Sequence, residues 1–273
     1  TLAGCGSKEA GTSGSKQTKV IDVDLTSEEY AFGVDKTQPE LLEKVNEFIA
    51  EIKTNGTFDE ICDRYFGSGT PEGVQSAALD DSKDQLVVAT NAAFEPFEYM
   101  QGESYYGIDM EIAAALADYL GKELVIQNMD FDAVCLSVGQ QKCDIAMAGL
   151  TIKEDRKEYV DFSDPYYSAS QRLIVMADDT DFDDCKTAED VDAKLNEKVA
   201  EGGVKIGVQN GTTGQFYVEG DESWGFAGFS AAECVPYKNG SLAVQDLING
   251  NIKYVIIDSA PAKCITEAIN KMQ

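Results

Sequence analysis

Histidine is missing from all 273 residues of this chain. Its absence excludes His-ligated zinc centres, Ser-His-Asp and Cys-His catalysis, and a histidine pH switch. Basic residues are scarce too. The 22 lysines and arginines stand against 49 aspartates and glutamates, a formal charge of −27 that repels phosphate and argues against a nucleic-acid partner. No apolar run is long enough to span a bilayer. The seven cysteines include no Cys-x-x-Cys pair and suggest no metal constellation. Most enzyme classes weaken on these grounds, and neither a cofactor nor a metal is expected.

What remains is a chain long enough for two lobes, each with its own core, and a 43% hydrophobic content that suits a globular protein. The chemistry concentrates between residues 145 and 167. The run Ile145-Ala146-Met147-Ala148 reads as a buried strand ending at Gly149, so the residues just beyond it fall in the crevice at a strand's carboxyl end. There Gly149 lets backbone approach a guest and Thr151 offers a hydroxyl. Arg156 offers a planar five-donor fork suited to a carboxylate. A strand, a turn and a surface arginine would account for the same residues without any ligand.

The order Gly149-x-Thr151, then Arg156, then Asp161-Phe162-Ser163-Asp164-Pro165-Tyr166-Tyr167, resembles the family-3 solute-binding proteins of bacterial ABC importers, which bind polar amino acids. The resemblance covers residues 19–67 and 86–273. It implies a two-lobed α/β fold of the type II periplasmic-binding-protein kind, each lobe a mixed sheet flanked by helices. It also implies an amino acid held between the lobes and passed to an ABC permease, with no catalysis. By resemblance, Arg156 and the turn Gly211-Thr212-Thr213 would take the ligand carboxylate, while Gly149, Thr151 and Asp258 would take its ammonium. Phe94 and Phe131, which in isolation read as core aromatics, match positions that stack on the ligand, and Asn91 and Gln209 would complete the side-chain pocket. Because Asn91 stands where many cationic-amino-acid binders have an aspartate, the resemblance favours a neutral polar guest such as glutamine, or cystine or cysteine. Two other readings follow from the fold: a sensor presenting its closed form to a membrane receptor, and a cyclohexadienyl-type dehydratase. The second lacks an evident acid/base pair.

Local signals fill in the elements. Lys19–Val23 and Tyr30–Val34 read as strands, and Pro39 opens a helix with Leu41, Leu42, Val45, Phe48, Ile49 and Ile52 on one face. Thr57 with Glu60 has the spacing of a capping box for the next helix, which stops at Gly67. Gln171–Val175 reads as a strand crossing between lobes, and Gly211-Thr212-Thr213 as a helix start with unpaired N–H groups. Asp258 follows a buried strand, where a carboxylate is usually a cap. The stretch 30–67 resembles the segment that usually closes a family-3 chain, yet here it comes first, so a circular permutation is expected. Residues 68–85, polar with Gly, Ser and Pro, would be a mobile linker between the old termini. Lobe one is then 27–172, and lobe two is 173–273 with 19–26.

The opening Leu2-Ala3-Gly4-Cys5 looks like a bacterial lipobox, with 1–18 as its remnant and a flexible tether. Lipid on Cys5 would anchor a monomeric protein to the outer face of the cell membrane. Cys62, Cys135, Cys143, Cys185, Cys234 and Cys264 could pair in fifteen ways, or stay free and buried.

Overall fold

The computed structural model describes residues 16–273, so Cys5 and most of the tether lie outside the described residues. Two five-stranded sheets form the centres of two lobes. In the first the strand order is Asp161–Phe162, Gly33–Val34, Ile145–Ala146, Gln85–Thr90, Glu123–Asn128. In the second it is Thr18–Val20, Gln171–Met176, Tyr254–Asp258, Lys205–Gln209, Glu233–Tyr237. The inner strands of both sheets pair in parallel: Gln85–Thr90 with Glu123–Asn128, and Lys205–Gln209 with its two neighbours. Parallel strands carry helices on both faces, which is why Leu86-Val87-Val88-Ala89 and Tyr254-Val255-Ile256-Ile257 are unbroken apolar runs instead of alternating ones.

The helix Pro39–Thr54 buries Leu41, Val45, Phe48, Ile49 and Ile52, a stripe at helical spacing, against the first lobe's core with Ile108, Ile112 and Leu116 of the helix Ile108–Leu120. The helix Gly240–Ile248 packs Ala243, Val244 and Leu247 on the second sheet with Ala262 and Ile269 of the last helix, Ser259–Asn270. That last helix ends beside the first strand. The side-chain carbonyl of Asn270 accepts the Thr18 N–H at 2.9 Å, and its amide donates to the Thr18 carbonyl at 2.8 Å.

Several local expectations change. The segment around Tyr30 is split: Glu28–Tyr30 pairs with Tyr167–Ala169 in a separate two-stranded ribbon, whereas Gly33–Val34 joins the first sheet. This ribbon is the crossing between lobes. Gln171–Met176 is not the crossing, because it lies inside the second sheet between Thr18–Val20 and Tyr254–Asp258. The helix Thr57–Phe66 has no Thr-Glu capping box. Thr57 is already its first helical residue and Gly56 precedes it in the left-handed region, while Asn55 accepts the Thr57 N–H from outside. The segment 68–85 is no free coil. Val74 is buried and exchanges two backbone hydrogen bonds with Tyr105, and the Ala77 N–H donates to Leu124 O. The six cysteines from Cys62 to Cys264 are all free thiols. No described helix is long and apolar enough to cross a membrane, and no cluster of potential metal ligands is present among the described residues.

Candidate functional site

Where the lobes meet, Phe94, Phe131, Gly149, Thr151, Arg156, Thr212, Thr213 and Asp258 line a narrow pocket with only about 10 Å³ of free space. That is about the room one water needs, so an amino acid fits only when the lobes part. Each lining group is placed by the end of an element. Gly149 follows the strand Ile145–Ala146 with a φ of +55°, and a Cβ there would fall 2.6 Å from the Phe94 ring, so glycine alone suits both the backbone and the packing. Its N–H donates at 2.7 Å to Asp109, at the start of the helix Ile108–Leu120. Asp109 also accepts from Tyr166 Oη at 2.5 Å.

Arg156 sits on the short 3-10 turn Glu154–Glu158. One of its terminal nitrogens donates to Thr151 O at 2.7 Å and the other crosses to the second lobe, donating to Gly211 O at 2.9 Å. The Phe131 ring centroid is 5.5 Å from the centre of the guanidinium, a cation–π distance. Burial pushes the Arg156 guanidinium below the usual arginine range, and the neighbouring Cys135, Asp155, Asp258 and Glu28 oppose that shift.

Asp258 ends the strand Tyr254–Asp258 just before the last helix, yet its side chain does not cap that helix. It accepts instead from Tyr30 Oη. Burial, and then the charge of Glu28, push the Asp258 carboxyl up to about 7. Thr213 Oγ1 is buried with no protein partner. The turn before it differs from the expected set of unpaired donors: Gly211 N–H is taken by the Gln215 side chain at 2.7 Å and Thr212 N–H by Gln209 O. Gly211 therefore contributes its carbonyl to Arg156, and its N–H is not free for an anion.

Asn91 and Gln209 are buried but do not line the cavity. The Asn91 amide donates to Met129 O, while its carbonyl and the Gln209 amide nitrogen have no protein partner. Three carboxylates around the site escaped the sequence reading. Asp109 fixes Gly149 from behind. Glu98 is fully buried beside Asp109, and burial followed by the Asp109 charge holds its carboxyl well above the usual range. Glu28, on the crossing ribbon, accepts from Thr151 Oγ1 at 3.1 Å. Strand alternation was the available signal for Glu28, since it puts Glu28 on the same buried face as Tyr30 and leaves Glu29 exposed.

The lobes are closed on one another. Besides the Arg156 to Gly211 bond, the largely buried Lys153 pairs across the cleft with Asp221 at 3.1 Å, and its ammonium lies 4.3 Å from the Phe216 ring centroid. At the cleft rim, exposed Lys238 and Asp130 pair at 3.3 Å.

A pocket between two lobes, with a guanidinium and a carboxylate both on its wall, is the arrangement of a two-lobed clamp. The sequence model of bacterial extracellular solute-binding proteins, family 3, matches residues 7–68 and 86–263, and the chain belongs to that family. It is 35% identical over 106 residues to the arginine-binding extracellular protein ArtP of Bacillus subtilis (strain 168), a match covering 39% of this chain and 42% of that protein. The chain spans 42% to 64% of the lengths of the first four relatives. Among solved structures it is similar to the ancestral amino acid-binding protein AncCDT-1, a precursor of cyclohexadienyl dehydratase, with a TM-score of 0.57, 29% identity and 78% of each chain covered. It is also similar to an ancestral arginine-binding protein bound to glutamine, with a TM-score of 0.55, 32% identity, and 68% of this chain and 74% of that one covered.

Proposed function

We propose that the cavity holds a free amino acid by both ends of its zwitterion and that the closed protein delivers it to an ABC permease. The observation that carries this reading is the charge arrangement: Arg156 and Asp258 line one small enclosed space, with the hydroxyls of Thr151 and Thr213 between aromatic walls. Arg156 and Thr213 would take the carboxylate. Asp258, Thr151 and the Gly149 carbonyl would take the ammonium, and Phe94 and Phe131 would flank the side chain. A zwitterion pairs both buried charges at once, whereas a simple anion or cation leaves one of them unpaired in a desolvated site.

The guest we favour is neutral and polar, such as glutamine, or cystine or cysteine. Asn91 gives the side-chain end no charge, and the unpartnered Asn91 carbonyl and Gln209 amide nitrogen could take up polar atoms reaching past the cavity wall as the lobes open and close. Calorimetric titration with glutamine, cystine and arginine tests this. Tighter binding of arginine than of both neutral guests would reject the assignment of guest while leaving the zwitterion clamp standing.

The chain order is read as a circular permutation. Supporting this, Thr18–Val20 lies in the second sheet against the end of the last helix, and the family match falls in two blocks flanking 69–85. On this reading lobe one is about 27–170 and lobe two about 171–273 with 19–26. The boundary moves ahead of Gln171 because that residue already pairs within the second sheet. Lipid on Cys5 would hold a monomer at the outer face of the cell membrane, which metabolic labelling with a palmitate analogue and a Cys5→Ala variant would test.

A further inference from the structure

The ammonium end of the cavity holds one more acidic group than a single ammonium needs. Glu28 is 3% exposed and lies behind Thr151 on the ribbon joining the lobes. One of its carboxylate oxygens accepts the Thr151 hydroxyl at 3.1 Å, and the side-chain amide of Gln171 donates to the same carboxylate at 3.2 Å. With its only proton given to Glu28, the Thr151 oxygen has just lone pairs left for the cavity and can act only as an acceptor. An acceptor suits an ammonium and rejects the acceptor-only oxygens of a carboxylate.

The charges around Asp258 come from every element that packs on it. Glu28 and Tyr30 face it from one strand of the ribbon and Tyr167 from the other, Arg156 from the 3-10 turn, Glu98 from the hairpin strand Glu98–Gln101, and Gln171 from the neighbouring strand. Of these only Arg156 is cationic, and it is committed to Thr151 O and Gly211 O. Two buried carboxylates, Glu28 and Asp258, thus share the neighbourhood of one guanidinium. Resting on the zwitterion reading above, we propose that Glu28 is a positioning residue of the ammonium site. It makes Thr151 an obligate acceptor, and its charge beside Asp258 favours one proton held by this buried carboxylate pair in the empty protein. The arriving ammonium displaces that proton, so capture of the amino acid releases it to solvent.

The direction follows from linkage. An empty site whose Asp258 carries a proton must lose it before pairing with an ammonium, so affinity falls as pH drops through the Asp258 midpoint, by at most about tenfold per pH unit for a single proton. Glu28→Gln keeps an oxygen to accept from Thr151 but removes the charge, so Asp258 ionises more easily in the empty protein.

The experiment is calorimetry of the whole chain with L-glutamine, and with L-cystine and L-arginine in parallel, in two buffers of different protonation enthalpy between about pH 6 and pH 8. The wild-type protein should release a fraction of a proton per amino acid bound near neutral pH and bind several-fold more weakly at the acid end. Glu28→Gln should release less and show a flatter profile, and it should gain affinity for the matching α-hydroxy acid relative to the amino acid. Wild-type binding with no proton exchanged and no pH dependence would overturn the inference even if the variant failed to fold. So would a variant whose proton release and profile match the wild type. In either case the zwitterion reading survives, because amino acid is still bound. Failure of all three amino acids to bind the wild type would sink both.

Discussion

Arg156 has two tasks in the closed cleft: it ties the lobes together through Gly211 O, and it presents its remaining donors to the cavity. Arg156→Ala should therefore lower amino-acid affinity by at least about a hundredfold, on the order of the 3 kcal/mol or more lost when a buried charge is left unpaired, with little change in far-ultraviolet circular dichroism. Arg156→Lys should recover only part of it, because a point charge cannot span Thr151 O, Gly211 O and a carboxylate together. Asp258 behaves in the opposite sense in the empty protein. Its carboxyl is raised by burial and by Glu28, so in the folded state it holds its proton to higher pH than in the unfolded chain. Stability is therefore lost as pH rises from the ordinary aspartate range through the folded midpoint. Asp258→Asn should abolish binding yet raise the ligand-free melting temperature at about pH 8, by roughly 2–4 °C per kcal/mol of relieved burial. An unchanged or lower melting temperature would count against a strained carboxyl. Gly149, Thr151 and Arg156 were legible because they lie close together in the chain after an apolar strand. Asp109 and Glu28 were not, because they reach that motif from 40 and 123 positions away in the chain.

At the level of elements, the strands and helices were legible wherever burial imposed a period or a run, as in Pro39–Thr54 and Gln85–Thr90. The misreadings fell where tertiary pairing overrode local signals. Thr57 has capping-box spacing, but the preceding Gly56 starts the helix one residue earlier than a Thr cap would. The polar stretch 68–85 has a linker's composition, yet Val74 finds a backbone partner in Tyr105 and a buried seat. Of the expected free N–H groups of the 211–213 turn, those of Gly211 and Thr212 are taken by Gln215 and Gln209 O, partners that no local pattern announces. The polar part of the join between the first strand and the last helix rests on one side chain. Asn270→Ala removes both backbone hydrogen bonds to Thr18, which should speed amide hydrogen exchange at Lys19 and Val20 while leaving exchange at Val255 and Ile256, deeper in the same sheet, unchanged. Equal protection in the variant would mean that pairing with Gln171–Met176 alone secures the strand.

For the molecule as a whole, closure is the event that couples the site to its surroundings. The Lys153 to Asp221 ion pair joins the lobes outside the cavity and favours the closed form without touching its lining. Lys153→Ala should therefore weaken amino-acid affinity by shifting the hinge toward the open state, an effect read as a larger radius of gyration in the ligand-free protein and a smaller one on saturation. The central claim is that the cleft binds a free amino acid through both of its charges. Its most direct test is a thermal-shift series of the whole chain against the standard amino acids and cystine, each at millimolar concentration. At least one polar amino acid should raise the melting point in proportion to the logarithm of its concentration, an effect of about 2.7 kcal/mol at a hundred times its Kd, and the matching amine and the matching carboxylic acid should not. No shift with any amino acid, or equal shifts with the amine or acid alone, would contradict it.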